Sequence, residues 1–322
     1  MLPDEADKRG VLPETAVSPS PVSPTPTDEQ AEVVMNDIPS HDAPFRVLAY
    51  ATTAIVPQVI PYEQLTHLNY AFLIPNADGS FLPLVNGWKL KTIVQEAHAH
   101  GVQVLISVGG WGWEKEFEVM AADPQARAAF VSNLRLLVDE YDLDGVDMDW
   151  EYPLPGPGAD NFLTLSQELR AAFPDKLLTT AVVAYGATGE GMLAETFALY
   201  DFINVMTYDG PDHGTMAQFE AGLAYWLSRG VPPEKLVMGV PFYSRPSEAL
   251  YRKIVEADPQ AAQMDTVEWN GTVNHYNGIP TIQAKTRMAL AQAGGIMFWS
   301  LEHDALDELS LVKAIDDVMR QP

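Results

Sequence analysis

A single (β/α)8 TIM barrel, without a large α+β insertion domain, is the fold class this sequence predicts. Three observations predict it. Eight short apolar runs alternate with stretches of helical periodicity, the mark of parallel βαβ units. The alternation fills roughly 250 residues, the usual size of a closed eightfold barrel. Unusual polar and aromatic residues gather at the C-terminal ends of the runs, where such a barrel keeps its active site. An open doubly wound sheet is the runner-up. It is disfavoured because no Gly-x-Gly-x-x-Gly follows the first run and no P-loop occurs.

Taken in order, the first strand is expected over residues 45–50 and the second over 66–74, with Asn76, Asp78 and Gly79 turning the chain. A helix over 85–100 is stopped by Gly101. The third strand, 102–108, ends in Gly109-Gly110, and a helix over 124–140 leads to the fourth strand, 144–150. A helix at 160–173, a strand at 177–184, a short helix at 192–199 and a strand at 202–207 follow. A helix at 216–229 precedes the seventh strand, 235–242. The last helix–strand–helix set is 281–293, 295–301 and 305–319. Between residues 243 and 280, Asn270-Gly271 and Asn277-Gly278 are turn signals that suggest a small hairpin.

The fourth strand carries the most informative pattern. Asp147, Asp149 and Glu151 alternate with Val146, Met148 and Trp150. On a strand, alternate side chains share a face, so three carboxyl groups line one side and apolar groups the other. A helix would scatter the acids, and Gly145 and Val146 disfavour one. Acid-rich stretches are most often solvated or capping; interleaving with large apolar residues argues against that here. Crowded like charges raise at least one pKa, and a protonated acid beside an ionised one suits glycoside hydrolysis. The other strand ends supply Tyr50, Phe72, Trp111, Trp113, Tyr208, Asp209, Tyr243, Arg245 and Trp299. Any one of these alone is more simply a core aromatic or a cap. Together, aromatic faces beside carboxylates have the composition of a sugar groove.

Composition narrows the rest. The chain has 322 residues, is 47% hydrophobic and carries a formal charge of −25. That charge opposes binding to nucleic acid or anionic membrane. No apolar run is long enough to span a bilayer. The absence of cysteine removes disulfides and thiolate chemistry. Residues 1–44 hold eight prolines, nine acids and two bases, a charge of −7, and read as an extended disordered linker. The catalytic barrel is assigned to 45–322. No signal peptide is visible; a tether of this kind suits an extracellular or cell-surface protein whose signal has been removed or lies upstream, with a cytoplasmic tail as the bland alternative. His213, His275 and His303 are isolated, and neither metal nor cofactor is expected. Asn270-Gly-Thr272 is a weak glycosylation sequon.

These residues resemble glycoside hydrolase family 18, the chitinase family. Its signature Asp-x-x-Asp-x-Asp-x-Glu is matched by Asp144, Asp147, Asp149 and Glu151, with Trp150 and Tyr152-Pro153 as chitinases have them. Ser107-x-Gly109-Gly110, Met206-x-Tyr208-Asp209 and Trp299 match in order, and the resemblance covers roughly residues 45–320. It implies retaining, substrate-assisted cleavage of β-1,4-linked N-acetylglucosamine polymers. Glu151 would be the general acid. Asp149 would orient the substrate's acetamido group, which attacks the anomeric carbon. Asp147 would share a proton with Asp149, and Tyr208 would bind the acetamido carbonyl. Trp299 would floor the cleaved sugar, while Asp209 and Arg245 hold it, and Tyr50 and Ser107 steady Asp147. Phe72, Met206, Trp111 and Tyr243 complete the expected substrate groove; for Trp113, packing on the next helix is equally expected. Asp144, of opposite parity, is expected to be structural.

Chitin or N-acetylglucosamine oligosaccharides are the expected partner, and a monomer the expected state. An endo-β-N-acetylglucosaminidase or a peptidoglycan-directed hydrolase on the same barrel is the alternative, and a non-catalytic lectin is disfavoured by the intact Glu151. The short 243–280 segment predicts a shallow, open groove.

Overall fold

The computed structural model describes residues 44–321, so the proline-rich stretch read as a tail lies, Pro44 apart, outside the described residues. Eight parallel strands close a barrel: β1 Arg46–Thr52, β2 His67–Leu73, β3 Gln103–Gly109, β4 Gly145–Asp149, β5 Leu177–Val183, β6 Phe202–Met206, β7 Leu236–Pro241 and the last, β10 Gly295–Trp299. Each pairs with its neighbour in sequence, and β1 closes on β10. The intervening β8 Thr266–Trp269 and β9 Thr272–His275 form a separate antiparallel hairpin. Its turn, Asn270-Gly271, has φ of 51° and 78°, the left-handed pair that a two-residue hairpin turn requires.

The shell is α1 Gly87–Ala99, α2 Glu114–Ala122, α3 Pro124–Tyr141, α4 Pro157–Ala172, α5 Met216–Ser228, α6 Tyr251–Ala257, α7 Ile279–Gln292 and α8 Leu311–Met319. Helix α3 starts where the sequence places it, because Asp123 accepts from Gln125 N (2.9 Å) and Pro124 fits the first turn. Two short helices were not expected. Helix α2 buries Phe117, Met120 and Ala121, and α6 buries Tyr251, Ile254 and Val255. Both show i, i+3, i+4 spacing, but over too few turns to stand out. The helix expected at 192–199 is instead two 3-10 turns, Ala187–Gly191 and Ala194–Ala198. The final helix begins at Leu311 rather than Ala305, because Asp304 is buried as a cap. Its carboxylate accepts from Leu311 N (2.8 Å), Val312 N (3.0 Å) and Ser310 Oγ (2.6 Å).

Strand parity organises the core. Val146, Met148 and Trp150 point outward into the helical shell, where Trp150 stacks on Phe117 at 5.2 Å and meets the edge of Phe162. The acids of β4 point inward. Gly109 must be glycine: its φ is 112°, and a Cβ there would lie 2.4 Å from the Asp149 carbonyl. That close approach lets Gly110 N donate to Asp149 O at 2.8 Å, pinning the end of β3 to the end of β4. Among the described residues, no helix is long and apolar enough to cross a membrane.

Candidate active site

Register brings the inner residues to two levels. At the lower level, Ser107 and Thr179 flank Asp147 on neighbouring strands. Asp147 is fully buried, and four donors reach it. Tyr50 OH (2.8 Å) and Ser107 Oγ (2.8 Å) donate to Oδ2; Thr179 Oγ1 (2.5 Å) and Asn204 Nδ2 (3.1 Å) donate to Oδ1. Burial pushes the Asp147 pKa up, and these four hydrogen bonds pull it back toward the ionised form.

One level up, Asp149 is 3% exposed and its Oδ1 has no hydrogen-bond partner among the described residues. Burial first, then the charges of Glu151 and Asp147, hold its pKa well above the carboxylate range. No hydrogen bond joins Asp147 to Asp149 in this arrangement: both oxygens of Asp147 are taken by other donors.

Glu151 stands just past the strand end at the mouth. Burial pushes its pKa up to about 7; the Tyr152 hydroxyl, donating to Oε2 at 2.8 Å, opposes this, while Asp209 and Glu114 reinforce it. Tyr208 is half-buried, and among the described residues its hydroxyl hydrogen-bonds only the Met297 sulfur, at 3.9 Å. Trp299 stacks on Phe72 at 5.3 Å and tilts against Tyr50 at 5.8 Å.

Asp209 adopts a φ of 62° at the end of β6. Its Oδ1 accepts from Arg245 Nε (2.6 Å) and Tyr243 OH (2.7 Å). Burial would raise its pKa, but the hydrogen bonds from Arg245 and Tyr243 and the Arg245 charge outweigh that and hold the carboxylate far below its usual range. The Asp209 amide donates to His213 Nδ1 (3.0 Å), so the ring proton sits on Nε2, which donates to the Tyr243 carbonyl (3.1 Å).

These groups surround one cleft of about 650 Å³. Of the residues expected from the sequence, Tyr50, Phe72, Trp111, Asp149, Glu151 and Met206 line it, as do Tyr208, Asp209, Tyr243, Arg245 and Trp299. Ser107 is buried beneath the cleft and donates to Asp147. Trp111 is 78% exposed at the rim, whereas Trp113 packs against the core. Asp144 accepts from Val104 N (2.7 Å) and His98 Nε2 (2.9 Å) at the opposite end of the barrel, a structural contact. A second groove of about 390 Å³ between residues 54–64 and 301–313 has no aromatic lining, and its Asp304 is committed to capping α8.

Comparison with known proteins decides the family. The model of "Glycosyl hydrolases family 18" matches residues 46–304. The chain belongs to glycoside hydrolase family 18. A chitinase-like effector of Moniliophthora roreri is 30% identical over 217 residues, covering 57% of this chain and 53% of that protein. The chain spans about half the length of the curated relatives it matches. A chitinase from the chitin utilization locus of Flavobacterium johnsoniae is 29% identical with a TM-score of 0.75, over 86% of this chain and 94% of the other. A chitinase from Bacteroides thetaiotaomicron is 26% identical with a TM-score of 0.78, over 86% and 97%.

Within this family 18 barrel, sequence reading missed four contributors. Thr179 and Asn204 complete the cradle of Asp147, yet each is an ordinary polar residue on its own strand. His213 looked isolated and is 4% exposed beneath Tyr243. Tyr152 stood in the Trp-Glu-Tyr-Pro signature, which was a signal available in the sequence.

Proposed function

We propose that the chain is a chitinase-type hydrolase cleaving β-1,4 linkages between N-acetylglucosamine units with retention, and that residues 45–322 are its catalytic unit. One observation carries the reading: in one aromatic cleft, Glu151 has a pKa of about 7 and its neighbour Asp149 offers an unpartnered oxygen. Near neutral pH Glu151 holds a proton for the glycosidic oxygen, as a general acid requires. Asp149, whose pKa burial and then the charges of Glu151 and Asp147 raise, is suited to hydrogen-bond the substrate's 2-acetamido group. That group's oxygen attacks the anomeric carbon as the glycosidic bond breaks, an exception to the two-carboxylate scheme. Tyr208 binds the acetamido oxygen, and Trp299 supports the sugar's apolar face. Water then opens the cyclic intermediate, giving its proton to Glu151. The relatives named as chitinases favour chitin as the polymer.

The acid must be protonated, so activity falls above pH 7, about tenfold per unit once Glu151 ionises. The test is a product profile on acetylated chito-oligosaccharides beside a glycoprotein substrate. Cleavage of the oligosaccharides alone supports the reading. Release of intact glycan with the oligosaccharides untouched replaces it with an endo-β-N-acetylglucosaminidase, and binding without cleavage replaces it with a lectin.

A further inference from the structure

We propose that Tyr152 is a positioning residue for the proton donor: its hydroxyl clamps Glu151 Oε2, which assigns Oε1 to deliver the proton into the cleft. The inference rests on the reading of Glu151 as general acid and deepens it.

The geometry is specific. Tyr152 OH lies 2.8 Å from Glu151 Oε2, and no other side chain or amide among the described residues donates to this carboxyl. The tyrosine ring is itself held, packed against the barrel-interior cluster that includes Ala181 and Met206. Burial, then the charges of Asp209, after β6, and Glu114, at the start of α2, raise the Glu151 pKa; Asp149, Tyr208, Tyr243, Arg245, Glu248 and His303 line the same cleft, where Arg245 is paired with Asp209 and Glu248. Burial and the Asp209 and Glu114 carboxylates favour the neutral carboxylic acid. An acid so surrounded holds its proton but has little reason to release it. Tyr152 supplies the opposing influence. Its O–H donates to Oε2 in both protonation states, and the bond strengthens when the carboxylate forms, because hydrogen bonds to charged acceptors are the stronger ones.

The step balances as follows. The Oε1–H bond breaks, and its proton goes to the glycosidic oxygen. The C1–O bond breaks with its electron pair going to that oxygen, and the acetamido oxygen bonds to C1. The negative charge left on Glu151 spreads over both oxygens, and the Tyr152 proton stays on its phenol while binding that charge. When water adds to C1, the C1–acetamido oxygen bond breaks with its electron pair returning to the acetamido group, and the water's proton goes to Oε1, since Oε2 remains occupied.

The test uses the full chain and two readouts. In Tyr152→Phe, the alkaline limb of kcat/KM against pH moves upward by about one unit, the size expected for one lost charge-assisted hydrogen bond. kcat at pH 6 falls by roughly tenfold, with KM changed less than about twofold. A fluorinated tyrosine at position 152, a stronger donor, moves the limb downward. In parallel, ¹³C NMR titration of the Glu151 carboxyl, assigned by its loss in Glu151→Gln, shows the same displacement without requiring turnover. That second readout still judges the clamp if no substrate is cleaved. An alkaline limb and an NMR midpoint that both stay at the wild-type pH in Tyr152→Phe would overturn the proposal, because a residue that merely packs would move neither.

Discussion

Asp147 and Asp149 are two residues apart on β4, face the same way, and sit in opposite circumstances. Asp147 on the barrel floor is held by four donors from four different strands. Asp149, one level higher, has an oxygen with no partner among the described residues. Buried polar groups are normally satisfied, and an unsatisfied one is costly. The difference teaches which level is scaffold and which is machinery. The floor is a finished network that fixes the height and angle of β4. The mouth is left incomplete, so that a ligand can complete it.

Three substitutions would break or sharpen that contrast. Glu151→Gln removes the proposed proton donor while keeping shape, and kcat should fall by on the order of 10³-fold with an unchanged Tm; near-normal turnover would remove Glu151 from the chemistry. Asp149→Ala should cost roughly 10²-fold in kcat without loss of stability, because the group it deletes is already unpartnered. Asp147→Ala should behave the other way, lowering stability by about 3 kcal/mol in denaturant titration, since it strands four buried donors. A stable Asp147→Ala protein would show that the floor is not the scaffold described here.

The smallest effect concerns Lys285 on α7, which is fully buried and donates to Gly214 O (2.7 Å) and Asn277 Oδ1 (2.8 Å) under the loop that carries Asp209. Burial lowers its pKa to about 7, below its unfolded value. The unfolded chain therefore binds the extra proton between pH 7 and the ordinary lysine range, and stability gains as pH rises through that window. Relative to Lys285→Met, the wild type should gain about 2 kcal/mol between pH 7 and 9. Parallel stability curves for the two proteins would contradict this.

Much of the molecule was legible in the sequence because its signals are local. The alternation of Asp147, Asp149 and Glu151 with Val146, Met148 and Trp150 dictates strand parity directly, and parity dictates which residues meet in the cleft. Asn270-Gly271 specified its turn for the same reason. What escaped is what depends on closure. Thr179 and Asn204 matter only because the barrel brings β5 and β6 within reach of Asp147. His213 matters only because the Asp209 amide points at it. The sequence also does not show how many donors crowd the lower acid, Asp147. Helices α2 and α6 were missed because two turns of periodicity carry little weight against loop-like surroundings.

The most direct measurement of the central claim is the anomeric form of the first product, followed by ¹H NMR during cleavage of an N-acetylglucosamine oligosaccharide. A substrate that supplies its own nucleophile, with Glu151 as the donor, predicts that the new reducing end appears as the β-anomer and converts to α only by mutarotation. An initial α-anomer, or no cleavage of any acetylated oligosaccharide, would contradict it.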